Sequence, residues 1–372
     1  MDTKITLIAS DKSWIEGDAI RQLENTAELE GMVSAVGLPD LHPGKGGPVG
    51  AAFLSRKFIY PYIIGNDVGC GMGLFHTTLN SRKVKRDKWV KRLRDLDEPW
   101  QGDTREWLLQ NGLDLTEYSD ACGTIGGGNH FAELQMVETV HEPSALKTLG
   151  IGKTNLLLLV HSGSRGLGNA LLRRHTDKFG AGGLAEESLE EKRYLVSHDS
   201  ALRWARANRL LIARRFLDAL NAEGELISDA CHNSVTMMEI DGEVYWIHRK
   251  GAAPSDQGPI VVPGSRGSLA YLVDPVGDMK QNLWSLAHGA GRKWNRKSTR
   301  DRLKSKYSPK ALMQTALGSA VICDDKDLLF EEAPEAYKNI ESVIEDMVQA
   351  GLVRVLATFR PLITYKMRMD KQ

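Results

Sequence analysis

The sequence predicts an α+β fold, built as a single large mixed domain, and three observations carry that expectation. Strand-like and helix-like segments are intermixed without a regular βαβ beat, which argues against a doubly wound sheet. No internal repeat of fixed period is present. No Pro/Ser-rich linker or low-complexity tract divides the 372 residues, so the expected domain runs over 1–372.

The elements follow from pattern and composition. Amphipathic spacing predicts helices over 89–96, over the long Arg-, Leu-, Ala- and Glu-rich stretch 184–222, and over 333–350, ending before Gly351. Short β-rich runs predict strands within 58–64, 156–161, 243–248, 260–262 and 352–358. The longest apolar runs are strand-sized and bounded by Gly or polar residues, so no membrane span is expected. The start, Met1-Asp2-Thr3-Lys4-Ile5, lacks a basic region followed by an apolar one, and no signal peptide is read there. Four scattered cysteines (Cys70, Cys122, Cys231, Cys323) fit a reducing cytoplasm better than a disulfide framework.

Lys plus Arg and Asp plus Glu are 48 each, so net charge announces no nucleic-acid partner and argues against loose, indiscriminate RNA binding. Two stretches, 82–94 and 292–306, are nevertheless strongly basic. The plain reading is two solvated helix faces. They gain weight only if they flank a site that handles phosphate.

The chemistry-bearing signal is the clustering of Asp, Cys, His and Asn beside glycine. The clusters are Pro39-Asp40-Leu41-His42 with Lys45, Asn66-Asp67 with Cys70, and Gly128-Asn129-His130-Phe131 with Glu133. Further on come His161 with Ser164-Arg165, Cys231-His232-Asn233, His248-Arg249-Lys250, Ser265-Arg266 and His288-Gly289-Ala290-Gly291-Arg292. Glycine lets the backbone approach a ligand closely. A lone Cys70 reads as a small buried hydrophobe, and each lone histidine as a satisfied core or surface residue. Together, Asp67, Cys70, His130, His161 and His232 offer the O, S and N donors of a transition-metal site, and five donors with one thiolate suggest a sulfur-bridged pair of ions. Ligand softness favours Zn²⁺, while the spacing admits Mn²⁺, Co²⁺ or Fe²⁺. Ser164-Arg165-Gly166, Gly264-Ser265-Arg266-Gly267 and Gly289-Ala290-Gly291-Arg292 read as anion cradles outside the P-loop pattern. His288, just before one cradle, could attack a phosphorus or serve a phosphate-binding or structural role.

Taken in this order, the motifs resemble those of the RtcB family of RNA ligases, from about Leu38 to Lys366. The resemblance implies the family's complex mixed α/β fold with its active site in a central cleft. It implies a reaction that consumes GTP, uses two Mn²⁺ ions, and joins RNA 3′-phosphate or 2′,3′-cyclic phosphate ends to 5′-hydroxyl ends, in RNA splicing or repair. Carried over by residue, it puts Asp67, Cys70 and His130 on one ion and Cys70, His161 and His232 on the other. His288 would become guanylated. Asn129, Phe131, Glu133, Ser265, Ala290, Gly291, Tyr337 and Lys366 match positions around the bound guanylate. Arg165, Arg292 and Arg296 are candidates for phosphate or RNA contacts. The RNA would be a cleaved transfer RNA or nicked ribosomal RNA, and an accessory activating protein is a partner the sequence neither requires nor excludes. An alternative reading is a cyclic phosphodiesterase that opens 2′,3′-cyclic phosphates without ligation; it would need the metal ligands but not His288.

The chain departs from the family pattern at Ala270, where many members carry a second Ser, and at Asn295, which replaces a Ser. After Lys366 it continues Met367-Arg368-Met369-Asp370 in place of a frequent Gly, and it is shorter than many members. None of these departures removes a metal ligand or the nucleophile.

Overall fold

The structure, a computed structural model, describes residues 3–368; the first two and last four residues of the expected domain, Met369 and Asp370 among them, lie outside it. Among the described residues two sheets dominate. The larger follows the order Ile260–Pro263, Ala270–Pro275, Val353–Met367, Phe131–Val140, Asn155–Ser162, Gly71–Asn80, Gly224–Cys231, with Ala320–Cys323 paired parallel to Val353–Met367. The smaller runs Lys4–Leu7, Met32–His42, Val49–Ser55, Glu243–Lys250, Asn233–Ile240. Neighbours in the larger sheet's main path are antiparallel, as hairpin and long-range returns allow without βαβ crossovers.

Burial explains the sequence of the central strand Asn155–Ser162. Leu156, Leu158 and Val160 pack toward the long helix Leu189–Leu220, through Ile212 and Phe216. Leu157 and Leu159 point to the other face, against Leu74, Leu272 and Phe359. A strand buried on both faces must be continuously apolar, as this one is. All five residues are fully buried, each contributing about 1.5–3 kcal/mol. A second core lies between the two sheets, where Val36, Leu38 and Leu54 meet Ile260, Val262 and Val273 beside the helix Ile340–Gln349.

Several expected boundaries move, for local reasons. The 58–64 run is a strand only at Phe58–Ile59; Pro61, at the first helical position, starts the short helix Pro61–Ile64. The long helix begins at Leu189, not 184, because Ser188 caps it by accepting from the Glu191 amide, 3.1 Å. Asn339 caps Ile340–Gln349, so 333–350 is broken into a 3₁₀ turn, Pro334–Ala336, and that helix. The 89–96 helix spans Arg86–Arg92, and the guanidinium of Arg368 takes up the carbonyls of Val90 and Leu93 at its end. The last strand extends from Val353 to Met367, which carries Lys366 into the interior. No described helix is long and apolar enough to cross a membrane.

Candidate active site

One cavity of about 800 Å³ opens between the sheets. Its lining includes every residue the sequence put forward as a metal ligand, nucleophile, guanylate contact or phosphate contact, from Asp67 to Lys366. The residues come from turns and strand ends that only the tertiary fold brings together.

Asp67 lies in the turn before the strand Gly71–Asn80, and Cys70 stands at its threshold. The Cys70 Sγ lies 3.4 Å from Nε2 of His130 and 3.3 Å from Nε2 of His161. Asp67 Oδ2 is 2.9 Å from the same His130 nitrogen. The His130 Nδ1–H donates to the Ile125 carbonyl, 3.1 Å, so its Nε2 lone pair faces the sulfur and the carboxylate. His232 does not join this tight group: its ring stands 5.1 Å from that of His161 and 4.6 Å from that of His288. The imidazoles thus form a row, His130, His161, His232, His288, with Phe131 edge-on to His161 at 5.5 Å.

Electrostatics suit this group to a cation. Burial holds His161 and His232 well below the usual imidazole range, leaving their lone pairs free of protons. Burial, then Asp67, push the Cys70 thiol well above its ordinary value, so a cation at this point is what would draw off its proton. Cys70, His130 and His161 are close enough to hold one ion together.

The long helix secures this arrangement from behind. Arg209, fully buried, grips Asp229 through Nε and Nη2 at 2.6 and 2.8 Å, and donates from Nη1 to the carbonyls of Gly69 (2.8 Å) and Ser162 (2.9 Å). Its neighbour Asn208 bonds Gly163 O (3.0 Å) and accepts from Gly123 N (2.7 Å). One helical turn thereby fixes the segments that carry Cys70, His130 and His161. Gly126, at φ +89°, passes over the Arg165 guanidinium so closely that a Cβ would sit 1.6 Å from its Nη1. Arg165 itself donates to Thr124 Oγ1 at 3.2 Å.

His288 follows the short strand Ser285–Ala287. Its Nδ1 lies 2.7 Å from Oδ2 of Asp40, which is fully buried. A proton on Nδ1, donated to Oδ2, leaves the Nε2 lone pair as the ring's free basic atom. Lys338 brackets Asp40 by donating to the carbonyls of Pro39 (3.2 Å) and Leu41 (2.6 Å). Gly291, at φ +71°, crosses the Asp40 backbone where a Cβ would meet Asp40 O at 2.3 Å. Ala290 is pinned to the Pro263 carbonyl, 3.1 Å, which sets the His288 loop beside Ser265.

The far end of the cavity is built on Glu332, which the sequence reading missed. Its carboxylate accepts from Arg292 Nη1 (3.0 Å), Arg296 Nε (3.4 Å) and the Tyr337 hydroxyl, with Lys366 Nζ at 3.9 Å. Burial alone would raise its pKa, but Lys366, Arg292 and Arg296 outweigh it and hold it at about 2. Arg292 has its donors engaged by Glu332, the Glu331 carbonyl and the Trp294 carbonyl, whereas the Arg296 side chain is half exposed. Glu133 accepts from Gln135 Nε2 (2.8 Å) and Thr364 Oγ1, and burial pushes its pKa up to about 7. Asp40 and Lys250 are further residues given no task from the sequence; Lys250, half-buried in the cavity wall, donates to Ile64 O at 2.9 Å. The departures from the family pattern are locally satisfied. Asn295 caps the helix Arg296–Leu303 by accepting from Ser298 N at 2.9 Å, and Ala270 is fully buried in its strand.

The family model described as tRNA-splicing ligase RtcB matches residues 22–100 and 110–367. RNA-splicing ligase RtcB2 of Escherichia coli is 48% identical over 96% of this chain and 94% of its own length. The tRNA-splicing ligase RtcB of Archaeoglobus fulgidus is 28% identical over 443 aligned positions, 94% of this chain and 91% of that protein. RNA-splicing ligase RtcB of Mycobacterium tuberculosis is 27% identical over 92% of this chain and 99% of its own length. An alignment of 443 positions exceeds the 372 residues here, so the archaeal protein carries insertions this chain lacks.

Proposed function

Because the chain belongs to the RtcB family of tRNA-splicing ligases, we propose that it is an RNA ligase that consumes GTP, joining 3′-phosphate or 2′,3′-cyclic phosphate ends to 5′-hydroxyl ends through a guanylated His288. The observation that carries this reading is the Asp40–His288 contact of 2.7 Å. A buried carboxylate on Nδ1 sets the tautomer in which Nε2 is a nucleophile.

The residues divide the work. His288 attacks the α-phosphorus of GTP through Nε2, pyrophosphate leaves, and Asp40 stabilises the charge that develops on the ring. The RNA 3′-phosphate then displaces His288 from the guanylate, and the 5′-hydroxyl attacks the activated phosphate and releases GMP. Glu133, Lys366, Tyr337, Ser265, Ala290, Gly291, Asn129 and Phe131 surround the guanylate, and Arg165 and Arg296 reach phosphate. Cys70, His130 and His161, with Asp67 beside His130, would hold one Mn²⁺ ion, and His232, the next ring in the row, would extend the set toward the second ion of a pair. Bound there, the metal supplies Lewis acidity for the phosphates and for the water that opens a cyclic phosphate. A phosphodiesterase that stopped at ring opening would give the Asp40–His288 pair no task.

The test is joining of two RNA fragments, one ending in a 3′-phosphate and one beginning with a 5′-hydroxyl, with GTP and Mn²⁺. The wild type is expected to join them and His288→Ala to abolish joining while still opening a cyclic phosphate. Joining by the variant would sink the assignment.

A further inference from the structure

Of the two basic stretches, only 292–306 reaches the cavity: Arg292 and Arg296 line it, and no residue of 82–94 does. The helix Arg296–Leu303 and its flanks carry two groups of cations, paired and unpaired. Arg300 and Lys304 turn to the acidic helix Lys326–Glu331, where Asp327 takes both and Glu331 adds to Arg300. Lys293, Lys297, Arg302 and Lys306 are exposed, and among the described residues none has a carboxylate within ion-pair distance. Two of them lie against Trp294, which is half-buried: Arg302 at 4.8 Å and Lys293 at 5.5 Å from its ring centre. The Trp294 carbonyl accepts from Arg292 Nε at 3.1 Å, so this surface continues directly from the cavity wall.

We infer that Trp294, with the unpaired cations Lys293 and Arg302 at its ring and Lys297 and Lys306 further along the same basic segment, forms a docking track for the single-stranded stretch of RNA leading to the reacting end. This rests on the ligase reading above. Unpaired cations around a flat ring, contiguous with a phosphate-handling cavity, are the pattern of single-strand binding. The backbone is gripped electrostatically, and a base stacks on the aromatic face. A lone basic helix face would need no aromatic ring between its cations and would not have to abut the site. Arg302 and Lys293 already polarise the Trp294 ring and steer phosphates to either side of a stacked base.

The experiment measures the affinity of an unstructured, fluorescently labelled RNA oligonucleotide ending in a 3′-phosphate, across a salt series. Three proteins are compared: wild type, the quadruple change of Lys293, Lys297, Arg302 and Lys306 to Gln, and a control changing the exposed Lys12, Lys57, Lys147 and Lys153 to Gln. The track variant is expected to lower the slope of log affinity against log salt by up to about 3, at about 0.7 per lost phosphate contact, with the control slope unchanged. Trp294→Ala is expected to weaken single-strand binding about tenfold or more, Trp294→Phe to restore most of it, and a blunt duplex to be indifferent to both. Thermal melts check that each variant is folded. Equal slopes for the track variant and control, or a Trp294→Ala loss shared by the duplex, overturn the track while wild-type joining keeps the ligase reading intact. Failure of the wild type to bind or join RNA overturns both.

Discussion

Nδ1 of His288 and Oδ2 of Asp40 are 2.7 Å apart, although 248 residues separate them in the chain. The pair joins the smaller sheet, through the strand Met32–His42, to the loop after Ser285–Ala287. Asp40→Asn keeps the shape of the contact but lets an amide N–H face Nδ1, favouring the tautomer with the proton on Nε2. Transfer of GMP from GTP to the enzyme is expected to slow by about a hundredfold or more, with GTP affinity little changed. Single-turnover guanylation at saturating GTP measures it; a rate within a few-fold of wild type would leave Asp40 a packing residue.

Glu332 is the electrostatic centre of the cavity's far end. Glu332→Gln strands Arg292, Arg296 and Lys366 beside one another, and a loss of about 3–5 kcal/mol in urea unfolding at neutral pH is expected. The sign of the pH dependence is fixed by its depressed pKa. Its stabilisation is present above the ordinary value of 4.5 and is lost as pH falls toward about 2. The stability gap between wild type and variant should therefore narrow across that window, and a gap independent of pH would contradict it.

Glu133 runs the other way. Burial raises its pKa to about 7, so the folded state favours the protonated acid and loses stability as pH rises from 4.5 through 7. Glu133→Gln removes that loss. The variant is expected to match wild type near pH 4 and to exceed it at pH 8 by on the order of 3 kcal/mol. Denaturation at the two pH values measures the gap, and equal gaps at both would contradict the raised pKa.

Arg209→Met removes the clamp that ties the Cys70 and His161 segments to the long helix, and leaves the partly buried Asp229 without its partner. A stability loss of about 3–5 kcal/mol and a 10- to 100-fold loss of Mn²⁺ affinity are expected. Competition against a chelator measures the second; wild-type metal affinity in a folded variant would show that the clamp does not set the ligand spacing.

What the sequence made legible was local. The apolar run 156–160 reads as a strand and is one, and the glycine-flanked clusters reveal the cavity because each compresses a reactive residue and its backbone freedom into a few positions. What it hid was long-range pairing. Glu332 stands beside Glu331 like any surface acid, and Arg209 shares an Arg-rich helix with exposed Arg206 and Arg214. Asp40 lay in a cluster that could be noticed but not paired with a residue so far along the chain. The misread boundaries, 58–64 and 333–350, turn on Pro61 and the Asn339 cap, single residues that override the surrounding pattern.

The most direct measurement is incubation with α-labelled GTP and Mn²⁺, followed by mass mapping of any covalent adduct in the wild type and in Asp40→Asn. Label on His288 Nε2 in the wild type, reached far more slowly in Asp40→Asn, is the expected result. A folded, metal-loaded enzyme that carries no adduct, or carries it on another residue, would contradict the account.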